Sequence, residues 1–258
     1  MPNADVNPLS DVLVLQDCSL VAFRWEGTNN APGSRVVRWD EARSQWAEVA
    51  TESLYTGTDQ DWAQGADGRI YSFETVIDPY TRPWQVDPFE LAYPDEPYAG
   101  AGLDAGADGR IYRPLTRLSF MQLTFEIYDP VLDARETSPS LAKPYYPCIL
   151  GSPDRRVLAM NMNGFAFYDP NTGSWSETTS TPAEMDCEGA GFGPDGRLYM
   201  ASTASSNDIR AYDVETRAWS AVEPPPSGEA FRPRFITGPD GRLWAIGQHE
   251  SFIFTPDS

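Results

Sequence analysis

Between Glu188 and Glu223 apolar residues gather in four short runs: Gly189-Ala190-Gly191-Phe192, Arg197-Leu198-Tyr199-Met200-Ala201, Ile209-Arg210-Ala211-Tyr212-Asp213 and Ala218-Trp219-Ser220-Ala221-Val222. Runs of four or five residues, separated by turn-forming positions and lacking a helical period, predict strands a, b, c and d of one sheet. Asp195-Gly196 tolerates positive φ and joins a to b as a tight hairpin. Between c and d, Asp213 opens a second turn and Trp219 follows the reversal.

Both turns recur. The first returns as Ala66-Asp67-Gly68-Arg69-Ile70, Ala107-Asp108-Gly109-Arg110-Ile111 and Pro239-Asp240-Gly241-Arg242-Leu243, with a degenerate copy at Pro153-Asp154-Arg155-Arg156-Val157. The second returns as Tyr168-Asp169-Pro170-Asn171-Thr172-Gly173-Ser174-Trp175, as Trp39-Asp40 to Trp46, and more loosely as Asp78-Pro79 to Trp84. Aspartates at 67, 108, 154, 195 and 240 are 41, 46, 41 and 45 residues apart, the period of a radially repeated four-stranded sheet. Asp17-Cys18-Ser19, 50 residues before Asp67, reads as a divergent sixth copy.

The fold expected is therefore all-β: one domain, residues 1–258, forming a six-bladed β-propeller of four-stranded antiparallel blades. Its repeats fall near 10–52, 58–92, 98–138, 145–180, 186–224 and 232–258. The last lacks a strand d, so residues 1–9 are expected to supply it and to close the ring between the two chain ends. Five blades with an irregular N-terminal segment is the alternative. Small residues in strand a suit the crowded axis, and the tryptophans of strand d suit the wide space between sheets.

The composition fits this picture: 41% hydrophobic and 12% aromatic residues can fill a core, and 23 prolines with 20 glycines punctuate many short strands. Thirty-eight acidic against nineteen basic residues give a net charge of −19, which argues against nucleic acid and anionic membranes as partners. Lys143 is the only lysine, a bias in keeping with a GC-rich genome or salt adaptation. No run approaches the ~20 apolar residues of a membrane span. The chain is expected to be soluble and monomeric, either cytoplasmic or secreted with its signal peptide removed. Cys18, Cys148 and Cys187 are widely spaced and form no C-x-x-C pair, so reduced thiols are expected.

The Tyr-Asp-Pro-x-Thr-x-x-Trp stretch ending at Trp175 resembles kelch repeats. Pro-Asp-Gly-Arg-Leu-Tyr ending at Tyr199 is similar to blades of the NHL, SMP-30/gluconolactonase and virginiamycin B lyase propellers. The resemblance to gluconolactonase-type propellers implies a divalent metal at the channel, and that to the lyases implies a histidine in catalysis.

In this fold the a–b and c–d turns share a lower face, while the d–a and b–c loops share an upper face and vary in length and chemistry. Candidate ligand-binding residues where strand a leaves the upper face are Asp61, Tyr146, Asp186, Glu188, Arg232 and Arg234. Their mixed charge suits a small polar ligand, an acid group among them, since arginine binds carboxylate or phosphate bidentately. Opposed Arg and Asp groups around a wet channel also simply neutralise one another. Asp61, Asp186 and Glu188 are weak candidate ligands for calcium, and no other cofactor is expected. His249, the single histidine, lies in the last b–c loop and is a weak candidate general base. The function expected is non-catalytic binding of a small polar ligand or a protein segment at the upper channel opening. The alternatives are a propeller enzyme, either a metal-dependent lactonase-type hydrolase or a His-assisted lyase, and a protein-interaction scaffold.

Overall fold

The computed structural model describes residues 9–25, 34–40, 42–43, 45–49, 62–72, 75–89, 102–117, 122–142, 148–203, 207–224, 233–237, 242–246 and 251–254. They form six small antiparallel sheets arranged as the blades of a β-propeller. Blade 1 contains β1 (Leu9–Val14), β2 (Leu20–Trp25), β3 (Ser34–Asp40) and β4 (Gln45–Glu48), and blade 2 contains β5 (Ala63–Gln64), β6 (Ile70–Tyr71), β7 (Thr75–Asp78) and β8 (Gln85–Pro88). Blade 3 comprises β9 (Asp104–Ala105), β10 (Ile111–Arg117), β11 (Gln122–Asp129) and an outer strand in two pieces, β12 (Ala134–Thr137) and β13 (Leu141–Ala142). Blade 4 has the same plan, with β14 (Cys148–Gly151), β15 (Val157–Asn161), β16 (Gly164–Asp169), β17 (Ser174–Trp175) and β18 (Thr179–Ser180). Blade 5 consists of β19 (Met185–Phe192), β20 (Leu198–Ser202), β21 (Ile209–Asp213) and β22 (Ala218–Val222), and blade 6 of β23 (Arg234–Thr237), β24 (Leu243–Ile246) and β25 (Ser251–Phe254).

Six blades are present, so the five-bladed alternative is set aside. Blade 6 shows three strands among the described residues, and residues 1–8, expected to complete it, lie outside them. Leu9 belongs to the inner strand of blade 1 and not to that closing segment. Among the described residues no helix is long and apolar enough to cross a membrane.

The lower turns repeat at atomic level. In blades 2, 3 and 5 a glycine with φ near +80° follows the aspartate, as Gly68, Gly109 and Gly196, while Arg155 and Cys18 take the same left-handed conformation in blades 4 and 1. Cys18 thereby confirms Asp17-Cys18-Ser19 as a genuine copy of the turn. Two backbone hydrogen bonds recur in each, in blade 5 from the Gly193 N–H to the Arg197 carbonyl and from the Gly196 N–H to the Gly193 carbonyl.

The carboxylate at the head of each turn acts as a clamp. Asp108 accepts from Arg110 Nε at 2.7 Å and from the Tyr112 hydroxyl at 2.8 Å. Asp67 does the same for Arg69 and Tyr71, and Asp195 for Arg197 and Tyr199. Burial pushes the Tyr71, Tyr112 and Tyr199 phenols far up, and their hydrogen bonds to these carboxylates act in the same direction. In blade 4, where Leu158 stands at the tyrosine position, Arg156 pairs with Asp154 and lies over the Phe167 ring at 4.3 Å. Burial of Asp154 opposes ionisation, but hydrogen bonds from Arg156 and Ser152 outweigh it and hold its pKa low.

The core lies between blades. Phe23 of blade 1 stacks on Trp62 of blade 2 with centroids 3.8 Å apart. Phe125 and Ile127 of blade 3 meet Ile149, Tyr168 and Trp175 of blade 4, and Phe165 and Phe167 of blade 4 meet Tyr212 and Trp219 of blade 5. The outer-strand tryptophans Trp84, Trp175 and Trp219 thus fill the wedges as the sequence predicts. Full burial of each large apolar side chain contributes about 1.5–3 kcal/mol, so these seams carry the cohesion of the ring.

Candidate functional site at the upper ends of the inner strands

The inner strands β1, β5, β9, β14, β19 and β23 each run from the upper face toward the lower turns. Neighbouring inner strands approach too closely for side chains. A Cβ on Gly151 would lie 2.2 Å from the Ala105 carbonyl oxygen of the preceding blade, and one on Gly191 would lie 2.5 Å from the Phe235 carbonyl oxygen. Polar struts tie the same strands. The Gly151 N–H donates to Asp104 Oδ2 at 2.8 Å, Gln16 N donates to Gln64 Oε1 at 2.7 Å, and the Thr237 hydroxyl donates to the Phe192 carbonyl. Asp104 was not singled out from sequence. Its position five residues before the Gly109 turn glycine was the available signal.

Strand β19 departs from the pattern. It spans eight residues, and its register with β20 jumps from Asp186↔Ala201 to Gly191↔Tyr199, so residues 187–190 bulge opposite Met200. A bulge bends a strand and re-aims its side chains, and such features concentrate at barrel rims and beside functional sites. The bulge abuts blade 6: a Cβ on Gly189 would lie 2.8 Å from the Pro233 carbonyl oxygen and 3.7 Å from the Arg234 Cα.

Asp186 and Glu188 therefore lie on β19 and Arg234 on the adjacent β23, which brings two carboxylate-bearing positions and one guanidinium-bearing position to the upper ends of neighbouring inner strands. Arg234 is exposed. The side chains of Asp186 and Glu188 lie outside the described residues, as do Asp61, Tyr146, Arg232 and His249 altogether. On the other flank of β19, Cys148 begins β14 and is disulfide-bonded, whereas Cys18 is free. The expectation of three reduced thiols is thus corrected. The third cysteine, Cys187, sits within the β19 bulge, and a spacing of 39 residues in sequence gave no hint that two adjacent inner strands bring both positions to one level.

The described groups with displaced titration belong to the lower turns and the wedges. Asp17 is held low first by the Ser19 hydroxyl, and Asp213 by backbone N–H groups led by Thr216. Among the described residues no three His, Cys, Asp or Glu side chains converge as a metal site.

No protein-family model matches this chain, and no curated protein matches it. It is similar to a solved structure described as a fungal alcohol oxidase of the AA5 family in complex with copper, with a TM-score of 0.62 and 12% identity. The alignment covers 99% of this chain and 65% of that one. At this identity the likeness concerns the propeller fold. Copper in proteins favours imidazole and thiolate donors. The sequence offers His249 as its one histidine, so its donor set does not fit a copper centre built on several imidazoles.

Proposed function

We propose that this propeller binds a small polar ligand or a protein segment at its upper channel opening, centred on β19 and β23, and performs no chemistry of its own. The observation that carries this reading is the β19 bulge, which interrupts a regular inner ring at the place where Asp186, Glu188 and Arg234 share adjacent strands. Two carboxylate-bearing positions and one guanidinium-bearing position on adjacent strands suit a ligand with hydrogen-bond donors and an acid group. The Cys148 disulfide favours an oxidising compartment over the cytoplasm.

Thermal melting against panels of small carboxylates, phosphates and sugars tests the proposal. A ligand present at about 100 times its Kd stabilises the folded chain by about 2.7 kcal/mol. At least one class is expected to raise the melting temperature, and Arg234→Ala and Glu188→Gln are expected to abolish that rise, each measured against the variant's own ligand-free baseline. Stabilisation by calcium alone, with lactone hydrolysis lost in Asp186→Asn, would replace this reading with the hydrolase. Turnover that disappears in His249→Ala would replace it with the lyase.

A further inference from the structure

Five buried apolar clusters each join two consecutive blades, from blades 1 and 2 round to blades 5 and 6. Among the described residues none joins blade 6 to blade 1. The difference is sharpest at one register position. In blades 2 to 5 the cross-strand pairs Tyr71↔Val76, Tyr112↔Ile127, Leu158↔Phe167 and Tyr199↔Ala211 pack toward the following blade, and every member is 8% exposed or less. The same pair in blade 6 is Trp244↔Ile253, where Trp244 is half-buried and Ile253 is 45% exposed. Water disfavours apolar surface of this kind, so the face of blade 6 toward blade 1 is short of a cover that its counterparts have.

Among the described residues β25 is also the edge of its sheet. The outer strands β4, β8 and β12 carry Glu48, Asp87 with Pro88, and Arg135 with Glu136, residues that discourage further pairing. Strand β25 reads Ser251-Phe252-Ile253-Phe254, with no charge and no proline, the composition of a strand that has a neighbour on each side. Chain length points to that neighbour. The shortest link from an outer strand to the next inner strand runs from Ser180 to Met185 and spends four residues. Strand β1 starts at Leu9, so residues 5–8 can make the same link and residues 1–4 can lie along β25, matching the four residues of β4, β8 and β12. Pro2 is tolerated there because an outer strand needs donors on one side only, as Pro88 of β8 illustrates. The segment brings no tryptophan, and none is required: Phe252, at the register of Ala166 in blade 4, already packs into the cluster shared with blade 5.

We propose that the edge of β25, with the Trp244 and Ile253 face beside it, is a strand-docking surface whose occupant is the chain's own segment of residues 1–8, paired antiparallel to β25. Hydrogen exchange on the full chain tests this without any substitution. Amides of residues 3–6 and of 252–254 are expected to exchange at least about a hundredfold more slowly than in an unfolded chain. Residues 3–6 exchanging at the unfolded rate while 252–254 stay protected would overturn the proposal. Deletion of residues 2–7 is expected to strip protection from 252–254 while leaving the other blades protected, and a synthetic peptide of residues 1–8 is expected to restore it. Protection at 252–254 that survives the deletion would show that another strand covers the edge and would also overturn it. Protection that rises with protein concentration, together with a dimer in sedimentation equilibrium, would overturn it in favour of a second copy.

Discussion

Blades 3 and 4 place opposite chemistry at the same register position of their two sheets. In blade 4 the cross-strand pair Ala159↔Ala166 faces blade 3, and Tyr168↔Trp175 completes the wedge. In blade 3 the equivalent pair is Arg113↔Glu126, each 2% exposed, and Tyr128↔Arg135 stands where the tryptophan would be. Arg135 lies 4.8 Å over Phe89 and 4.7 Å over Tyr128, Arg113 lies 5.5 Å over Phe89, and Glu126 is ion-paired with both arginines. The wedge thus needs a broad flat group, and a guanidinium stacked on aromatic faces meets that need. What it adds is a charge that must be neutralised inside the seam.

The strongest test of this contrast is to remove the neutralising group. Glu126→Gln leaves two arginines, one of them buried, without their carboxylate, and is expected to cost about 3–5 kcal/mol in chemical denaturation. Installing blade 4 chemistry should repair it: a variant carrying Arg113→Met, Glu126→Leu and Arg135→Trp is expected to come within about 1–2 kcal/mol of the parent, or to exceed it, because apolar groups of similar volume often replace buried ion pairs without loss. A triple variant as unstable as Glu126→Gln would show that the charges do more than occupy the wedge.

The seam between blades 4 and 5 is apolar in its core and differs from that between blades 2 and 3 in carrying the Cys148 disulfide at its upper end. Non-reducing peptide mapping is expected to join Cys148 to Cys187, since Cys18 is free. Cys148→Ser, or reduction, is expected to cost about 2–4 kcal/mol. The same change should blunt ligand stabilisation at the β19 bulge more than Glu126→Gln does, because it acts where the proposed site lies.

The turns were legible in the sequence because their chemistry is local. Aspartate followed by glycine announces a left-handed residue whatever surrounds it, and a tryptophan after a c–d turn announces a wedge. Blade 3 escaped the second pattern because Arg135 replaces the indole, so its turn at Asp129 carried no aromatic signature. The pairing of Arg113 with Glu126, the disulfide and the β19 bulge escaped for a different reason: each depends on cross-strand register, which a run of residues does not encode. Of the candidate site residues, Asp186 and Glu188 lie on β19 and Arg234 on the adjacent β23, while Asp61, Tyr146, Arg232 and His249 fall outside the described residues.

A milder contrast separates the clamps of blades 2, 3 and 5, which contain Tyr71, Tyr112 and Tyr199, from that of blade 4, which has Leu158. Because the folded state raises these three phenol pKa values, it holds their protons more tightly than the unfolded chain does. Their contribution is intact below the unfolded value of about 10 and is lost as the pH climbs beyond it. Melting temperature is expected to fall steeply above that pH. A triple Tyr→Phe variant should be less stable at neutral pH, by about 1 kcal/mol for each lost hydrogen bond, and show a flatter alkaline limb. A limb as steep as the parent's would move the alkaline sensitivity elsewhere.

The smallest effect compares two tryptophans in equivalent wedges. Trp175 Nε1 donates to the Pro139 carbonyl of blade 3 at 2.8 Å, whereas the buried Trp219 Nε1 meets no acceptor among the described residues. Replacing each by phenylalanine removes similar apolar contact but only one hydrogen bond. Trp175→Phe is therefore expected to cost about 1 kcal/mol more than Trp219→Phe, since deleting an unsatisfied donor recovers part of the packing loss. Equal costs would indicate that the Trp219 indole finds water at the rim, and that the two wedges differ in sequence but not in polar satisfaction.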